Sequence, residues 1–119
     1  MSNQENKTLI RRYFAALSGK AKSAATLADY TTDEELKQHI AFFEAAFPRY
    51  ELLADDMIGE GDQVVVRARF RGTHKGEMMG IPPTGKQVDV PFIIIYRIAE
   101  DKIVEHWMSV NQLELLQQL

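Results

Sequence analysis

Leu9, Ile10, Tyr13, Phe14 and Leu17 recur at intervals of three and four residues, the spacing of one helical face, and the run stops at Gly19. Ser2-Asn3-Gln4-Glu5 ahead of it fits a capping box, in which the serine side chain takes an orphan backbone N–H and the glutamate reaches back to the cap. Residues 23–30 carry a weaker helical pattern. Thr32-Asp33-Glu34-Glu35 repeats the capping-box logic, and Leu36, Ile40, Phe43 and Phe47 then form one apolar stripe that ends at Pro48. This second long helix has about four turns.

From Tyr50 the period shortens to two. Residues 50–58, 63–74, 86–98 and 102–111 are rich in Val, Ile, Phe and Tyr and read as four strands, the first two separated by Gly59-Glu60-Gly61-Asp62. Glu100-Asp101 is the turn between the last two, so the strands form an antiparallel meander. Helices followed by strands define an α+β fold, one domain over residues 1–119, with the helices on one face of the sheet. The tail, residues 113–119, is too short to assign.

In the strand over 63–74, Val64, Val66, Ala68, Phe70 and His74 fall on one face and Arg67, Arg69 and Arg71 on the other. For the last pair, a regular ladder with Ala99 opposite Lys102 sets Tyr96 against Glu105, Ile94 against Trp107, Phe92 against Ser109 and Val90 against Asn111, all on the helix-covered face. Ile93, Ile95, Arg97, Val104, His106 and Met108 then occupy the outer face. That face is largely apolar, and Ile93, Ile95, Val104 and Met108 are the expected contact in a homodimer.

Composition narrows the partners. With 14 Lys and Arg against 17 Asp and Glu, the 119-residue chain carries a formal charge of −3, the wrong sign for nucleic acid. The absence of cysteine excludes disulfides and thiolate metal sites. MSNQENKTL has no apolar leader core and no segment has membrane length, so the expected location is cytoplasmic.

Candidate chemistry starts from an apparent phosphate loop. Gly80, Gly85 and Lys86 almost match its spacing, but Pro82 and Pro83 lack the N–H groups a phosphate cradle needs. Gln87 replaces the magnesium-binding hydroxyl and a strand follows in place of a helix, so the stretch reads as a turn between strands. His39 faces the sheet from the second long helix, and His74 ends an inward row; either is a candidate acid or base, or a hydrogen-bonded core histidine. No local spacing unites the histidines as metal ligands. Glu105, among Tyr96, Phe92 and Trp107, is a carboxylate whose pKa burial would raise, unless it reaches solvent. Asn111 closes the row and offers hydrogen bonds but no proton transfer.

The runs GTHKGEMMGIPPTGKQV, YRIAEDKIVEHW and LLQQL, with LIRRYFAAL, AFPRYEL and EGDQVVVRARFRGTH, resemble the SnoaL-like polyketide cyclase and ester cyclase family of the nuclear transport factor two-like superfold. The resemblance covers nearly the whole chain. It implies a cone, in which helices close one end of a strongly curved antiparallel sheet around a pocket, usually in a dimer. It also implies a cofactor-free aldol-type cyclase, with an acid/base aspartate four residues after the tryptophan. Here Asn111 stands at that position. The expectation is therefore a pocket lined by Tyr13, Phe14, His39, Phe43, Phe70, Phe92, Tyr96, Glu105, Trp107 and Asn111 that binds a small hydrophobic, cyclic or polyketide-like molecule, with no cofactor and no metal. Two alternatives stand beside it: a cyclase, isomerase or hydrolase using His39 or His74, and a structural or partner-binding module with a filled core.

Overall fold

The computed structural model describes residues 3–119, so the cap expected at Ser2 lies outside the described residues. The first helix, α1 (Asn3–Leu17), buries Leu9, Ile10, Tyr13, Phe14 and Leu17 against the first two strands. Its apolar spacing puts all five side chains on one stripe, and each contributes about 1.5–3 kcal/mol on leaving water. Gly19, at φ 68°, reverses the chain, and its N–H donates to the carbonyl of Tyr50. A short α2 (Ala24–Tyr30) follows, capped by the Ser23 side chain. It ends at Thr31, whose hydroxyl donates to the Ile103 carbonyl at 2.8 Å.

α3 (Glu34–Ala46) is capped by Asp33, not by Thr32 as the capping-box pattern suggests. Thr31 and Thr32 are committed to the sheet, because both hydrogen-bond to Ile103. The far end of α3 is also tied down. The Ala46 carbonyl accepts from the N–H groups of Lys75 and Gly76, both at 3.0 Å. A side chain at Gly76 would collide with the Ala45 carbonyl, so glycine is required by this approach. Between its two ends, α3 stands farther from the strands than α1 does.

The sheet is an antiparallel meander in the order β1-β2-β3-β4, with β1 (Glu51–Glu60), β2 (Gln63–Thr73), β3 (Gln87–Ala99) and β4 (Lys102–Val110). The alternation read in β2 holds: Val64, Val66 and Ala68 are fully buried, while Arg67, Arg69 and Arg71 lie outside. The arginines pair with Asp55, Asp56 and Asp89 on neighbouring strands. The GIPPTGK stretch joins β2 to β3. It is fastened where the His74 N–H donates to the Lys86 carbonyl and the Gly85 N–H to the His74 carbonyl.

The β3–β4 ladder departs from the regular one. Ala99 pairs with Lys102 and Ile98 with Ile103, but Arg97 then pairs with Glu105, so one extra residue bulges out of β4. Beyond the bulge Tyr96 faces His106, Ile95 faces Trp107, Ile94 faces Met108 and Phe92 faces Val110. A one-residue slip exchanges the faces of a strand. His106 and Met108 therefore point inward, against expectation, and Glu105, Trp107 and Ser109 point outward. The chain ends in α4 (Gln112–Gln117), capped by Asn111, and Leu115 of this helix is buried against the sheet. Among the described residues, no helix is long and apolar enough to cross a membrane.

Candidate functional site

The gap between α3 and the curved sheet is a cavity of about 70 Å³. Its walls come from Leu36, His39, Ile40 and Phe43 of α3, from the inward rows of β2, β3 and β4, and from Tyr13, Tyr50, Leu52 and Leu115. Most of this lining is aliphatic or aromatic. The exceptions are two imidazoles and three phenols.

His106 is the best supported of these. Its Nδ1 lies 2.7 Å from Oδ2 of Asp33, and the two side chains are only 5% and 10% exposed. The other oxygen, Oδ1, accepts from the Leu36 N–H at 3.1 Å, the capping bond of α3. A carboxylate accepts only, so Nδ1 carries the proton it donates to Asp33 and Nε2 of a neutral ring is left with a free lone pair. His39 packs edge-on to His106 with ring centroids 6.2 Å apart and stacks on Phe43 at 5.4 Å. Burial, helped by the neighbouring His106, pushes the His39 imidazole below its ordinary pKa, and Glu35 opposes the shift. His39 is held neutral for both reasons.

Tyr13 and Tyr96 sit beside this pair, edge-on to each other with ring centroids 5.7 Å apart. Both are at most 2% exposed. Burial pushes both phenols well above their ordinary pKa, as it does that of Tyr50. Lys22 caps the Tyr50 ring from outside, with Nζ 3.9 Å from its centroid. Among the described residues no group of three or more His, Asp or Glu side chains converges as metal ligands.

Of the residues singled out in the sequence, Tyr13, His39, Phe43, Phe70, Phe92 and Tyr96 line the cavity. Phe14 lies in the core beside it, edge-on to Tyr96 at 6.3 Å. Glu105 and Trp107 are corrected to the outer face: Glu105 pairs there with Arg97, and Trp107 is 47% exposed. Asn111 is exposed, and its Oδ1 accepts from the Glu114 N–H at 3.0 Å to cap α4. His74 is fully buried but outside the cavity lining, packed against Phe47, with its Nδ1 accepting from the Thr84 N–H at 3.2 Å. Among the residues missed were Asp33, read only as part of a helix start, and His106, Met108 and Val110. From the bulge onward, Glu105, Trp107, Ser109 and Asn111 share one phase and His106, Met108 and Val110 the other. That split, mostly polar apart from Trp107 against largely apolar, was a sequence signal for the true register.

A curved, unclosed four-stranded antiparallel sheet with helices packed against it is the α+β arrangement of the nuclear transport factor two-like fold. Within that fold the chain belongs to the SnoaL-like polyketide cyclase family, whose model matches residues 6–119. Similar solved structures include AclR, a candidate hydroxylase from Streptomyces galilaeus, at 27% identity and TM-score 0.84, with 97% of this chain and 80% of that one covered. A candidate SnoaL-like polyketide cyclase from Jannaschia sp. CCS1 is 25% identical at TM-score 0.83, covering 98% and 92%. IdmH from Streptomyces antibioticus, a candidate polyketide cyclase, shares the fold at 24% identity and TM-score 0.79, covering 95% and 96%. No curated protein matches the sequence.

Proposed function

We propose that the cavity under α3 binds a small, neutral, hydrophobic molecule and that His106, oriented by Asp33, exchanges a proton with it in a cofactor-free reaction of the cyclase or isomerase type. The observation that carries this reading is the 2.7 Å contact between His106 Nδ1 and Asp33 Oδ2 at the wall of an otherwise apolar cavity. A buried carboxylate that fixes one ring nitrogen leaves the other basic and aimed, which is how imidazole bases are prepared. Family membership supports the reaction class, and the low charge and lack of cysteine fit a cytoplasmic setting. Asn111 has no part in the proton transfer on this reading.

The test is a panel of mono- and bicyclic ketones and diketones, followed by NMR on methyl and aromatic resonances. Binding that shifts Met108 and Phe43 and spares Trp107 supports the site. Saturating amounts of every compound without such shifts contradict it.

We further propose that the outer face of the sheet joins two copies of the chain. Ile93 and Trp107 lie there at 49% and 47% exposure beside Ile95, between the Arg67–Asp56 and Arg97–Glu105 ion pairs. Met108 leaves this patch and Trp107 enters it, because of the bulge.

A further inference from the structure

We infer that Thr31 is a positioning residue for the proposed reaction: its hydroxyl ties Asp33 to β4 just ahead of the bulge and so holds Asp33 and His106 in register. That role rests on the acid/base reading of His106 and adds what aims the imidazole. Thr31 is 1% exposed and stands outside the cavity lining, so it acts only through its neighbours.

Proton counting leaves its hydroxyl a single arrangement. The Ile103 carbonyl only accepts, so the Thr31 O–H donates to it, at 2.8 Å. The Asp33 N–H only donates, so the same hydroxyl oxygen accepts from it, at 2.9 Å. Thr32 adds its N–H to the Ile103 carbonyl at 3.0 Å, and Thr31 and Ile103 form a parallel bridge. Both oxygens of the Asp33 carboxylate are then engaged, Oδ1 by the Leu36 N–H and Oδ2 by His106. These bonds close a ring that runs from Thr31 to Ile103, along β4 to His106, and back through Asp33.

The ring encloses the weak point of the strand. Ile103 pairs with Ile98 and Glu105 with Arg97, so Val104 is the extra residue, and His106 lies three residues beyond Ile103. A bulge interrupts the ladder and bends its strand. Both phases of β4 carry apolar side chains, Trp107 in one and Met108 and Val110 in the other, so burial alone separates them weakly. A slip by one residue turns His106 outward and brings Glu105 and Trp107 in. Thr31 holds Ile103 on one side of the bulge while Asp33 holds His106 on the other.

The experiment compares Thr31→Val, which keeps the shape of the side chain and lacks the hydroxyl, with Thr31→Ser, which restores it. NMR reads two quantities: the His106 Nδ1–H resonance in isotope-labelled protein, and the rate at which 2-tetralone exchanges its α protons with deuterated solvent. In that exchange the α C–H bond breaks and its proton passes to Nε2 of His106. The freed pair forms the C=C bond of the enolate, the carbonyl π pair moves onto oxygen, and a solvent deuteron returns to carbon. In Thr31→Val the resonance shifts, and exchange at saturating ketone falls roughly 10- to 100-fold with ketone affinity unchanged, as expected for a reacting group misplaced by about 1 Å. Thr31→Ser restores both. A hydroxyl that merely stabilises the fold lowers the melting temperature and leaves both quantities native, so a folded Thr31→Val protein with the native resonance and rate overturns the inference. If Thr31→Val fails to fold, the Thr31 hydroxyl proton of the native protein decides: held in this ring it exchanges slowly with solvent, and rapid exchange removes the proposed role. Failure of the underlying reading has a different signature, ketone exchange that is absent from the native protein or undiminished in His106→Asn. The positioning of His106 by Thr31 is then decided by the resonance alone, and its native position in Thr31→Val overturns that claim too.

Discussion

Asp33 and His106 meet at 2.7 Å although one starts a helix and the other lies within a strand 73 residues later in the chain. One carboxylate therefore caps α3 and orients the imidazole. Asp33→Ala removes both bonds and leaves a buried imidazole N–H without its acceptor. A loss of roughly 2–4 kcal/mol is expected from a helix cap plus an unsatisfied buried donor. Asp33→Asn keeps a capping oxygen and is expected to lose less than half as much. Urea unfolding of the three proteins measures the difference, and equal stability of Asp33→Ala and the native chain would show that the contact contributes nothing.

Asn111 is where the chain departs from the W-x-x-x-D pattern that its family resemblance implies, and the structure gives it a different task. Aspartate is as good an N-cap as asparagine, so Asn111→Asp is expected to shift stability by only a few tenths of a kcal/mol and to create no proton-transfer activity. Asn111→Ala loses about 1 kcal/mol and frays α4, which loosens Leu115 at the cavity wall. Thermal melts with an activity assay decide this, and activity gained by Asn111→Asp would return the acid/base role to that position.

Stability should fall at both ends of the pH scale. The phenols of Tyr13, Tyr50 and Tyr96 titrate above their ordinary value in the folded protein. Above about pH 10 the unfolded chain releases protons that the folded chain keeps, so folding loses up to about 1.4 kcal/mol per pH unit for each phenol. Lys22, lowered by burial against the opposing pull of Glu44, has the opposite slope but is one group against three phenols. On the acid side, the folded His39 imidazole titrates below its ordinary value. Below about pH 6.5 the unfolded chain takes up a proton that the folded chain refuses, and stability declines as pH falls. Denaturant midpoints across pH should show a weaker acid decline in His39→Gln and a shallower alkaline decline in Tyr50→Phe.

Trp107 is the sole tryptophan and sits on the proposed interface between copies, away from the cavity. Its emission should shift to the red on dilution as that face meets water. Light scattering of Ile93→Lys should report half the native mass. A native protein of monomer mass at micromolar concentration, with emission independent of dilution, would remove the dimer from this account.

The helices and β2 were legible because each has one buried side: Leu9, Ile10, Tyr13, Phe14 and Leu17 mark one stripe, and Val64, Val66 and Ala68 alternate with arginines. The β3–β4 register was not, because Ile93, Ile94 and Ile95 are apolar in succession and satisfy either phase. One residue inserted near Val104 was then enough to exchange Trp107 for His106 on the inner face. Half of the site followed directly from the aromatic spacing. The other half depended on a contact between Asp33 and His106 that no local pattern records, and on a helix at residues 112–117 too short to show a period.

The most direct test of the central claim is solvent deuterium exchange at the α carbon of a ketone bound in the cavity, followed by NMR in the native protein and in His106→Asn. A positioned imidazole base contributes roughly 100- to 10,000-fold, so exchange should be readily measured in the native protein, should fall by at least the lower figure in His106→Asn with binding retained, and should persist in Asn111→Ala. Native-level exchange in a folded, ligand-binding His106→Asn protein would contradict the account.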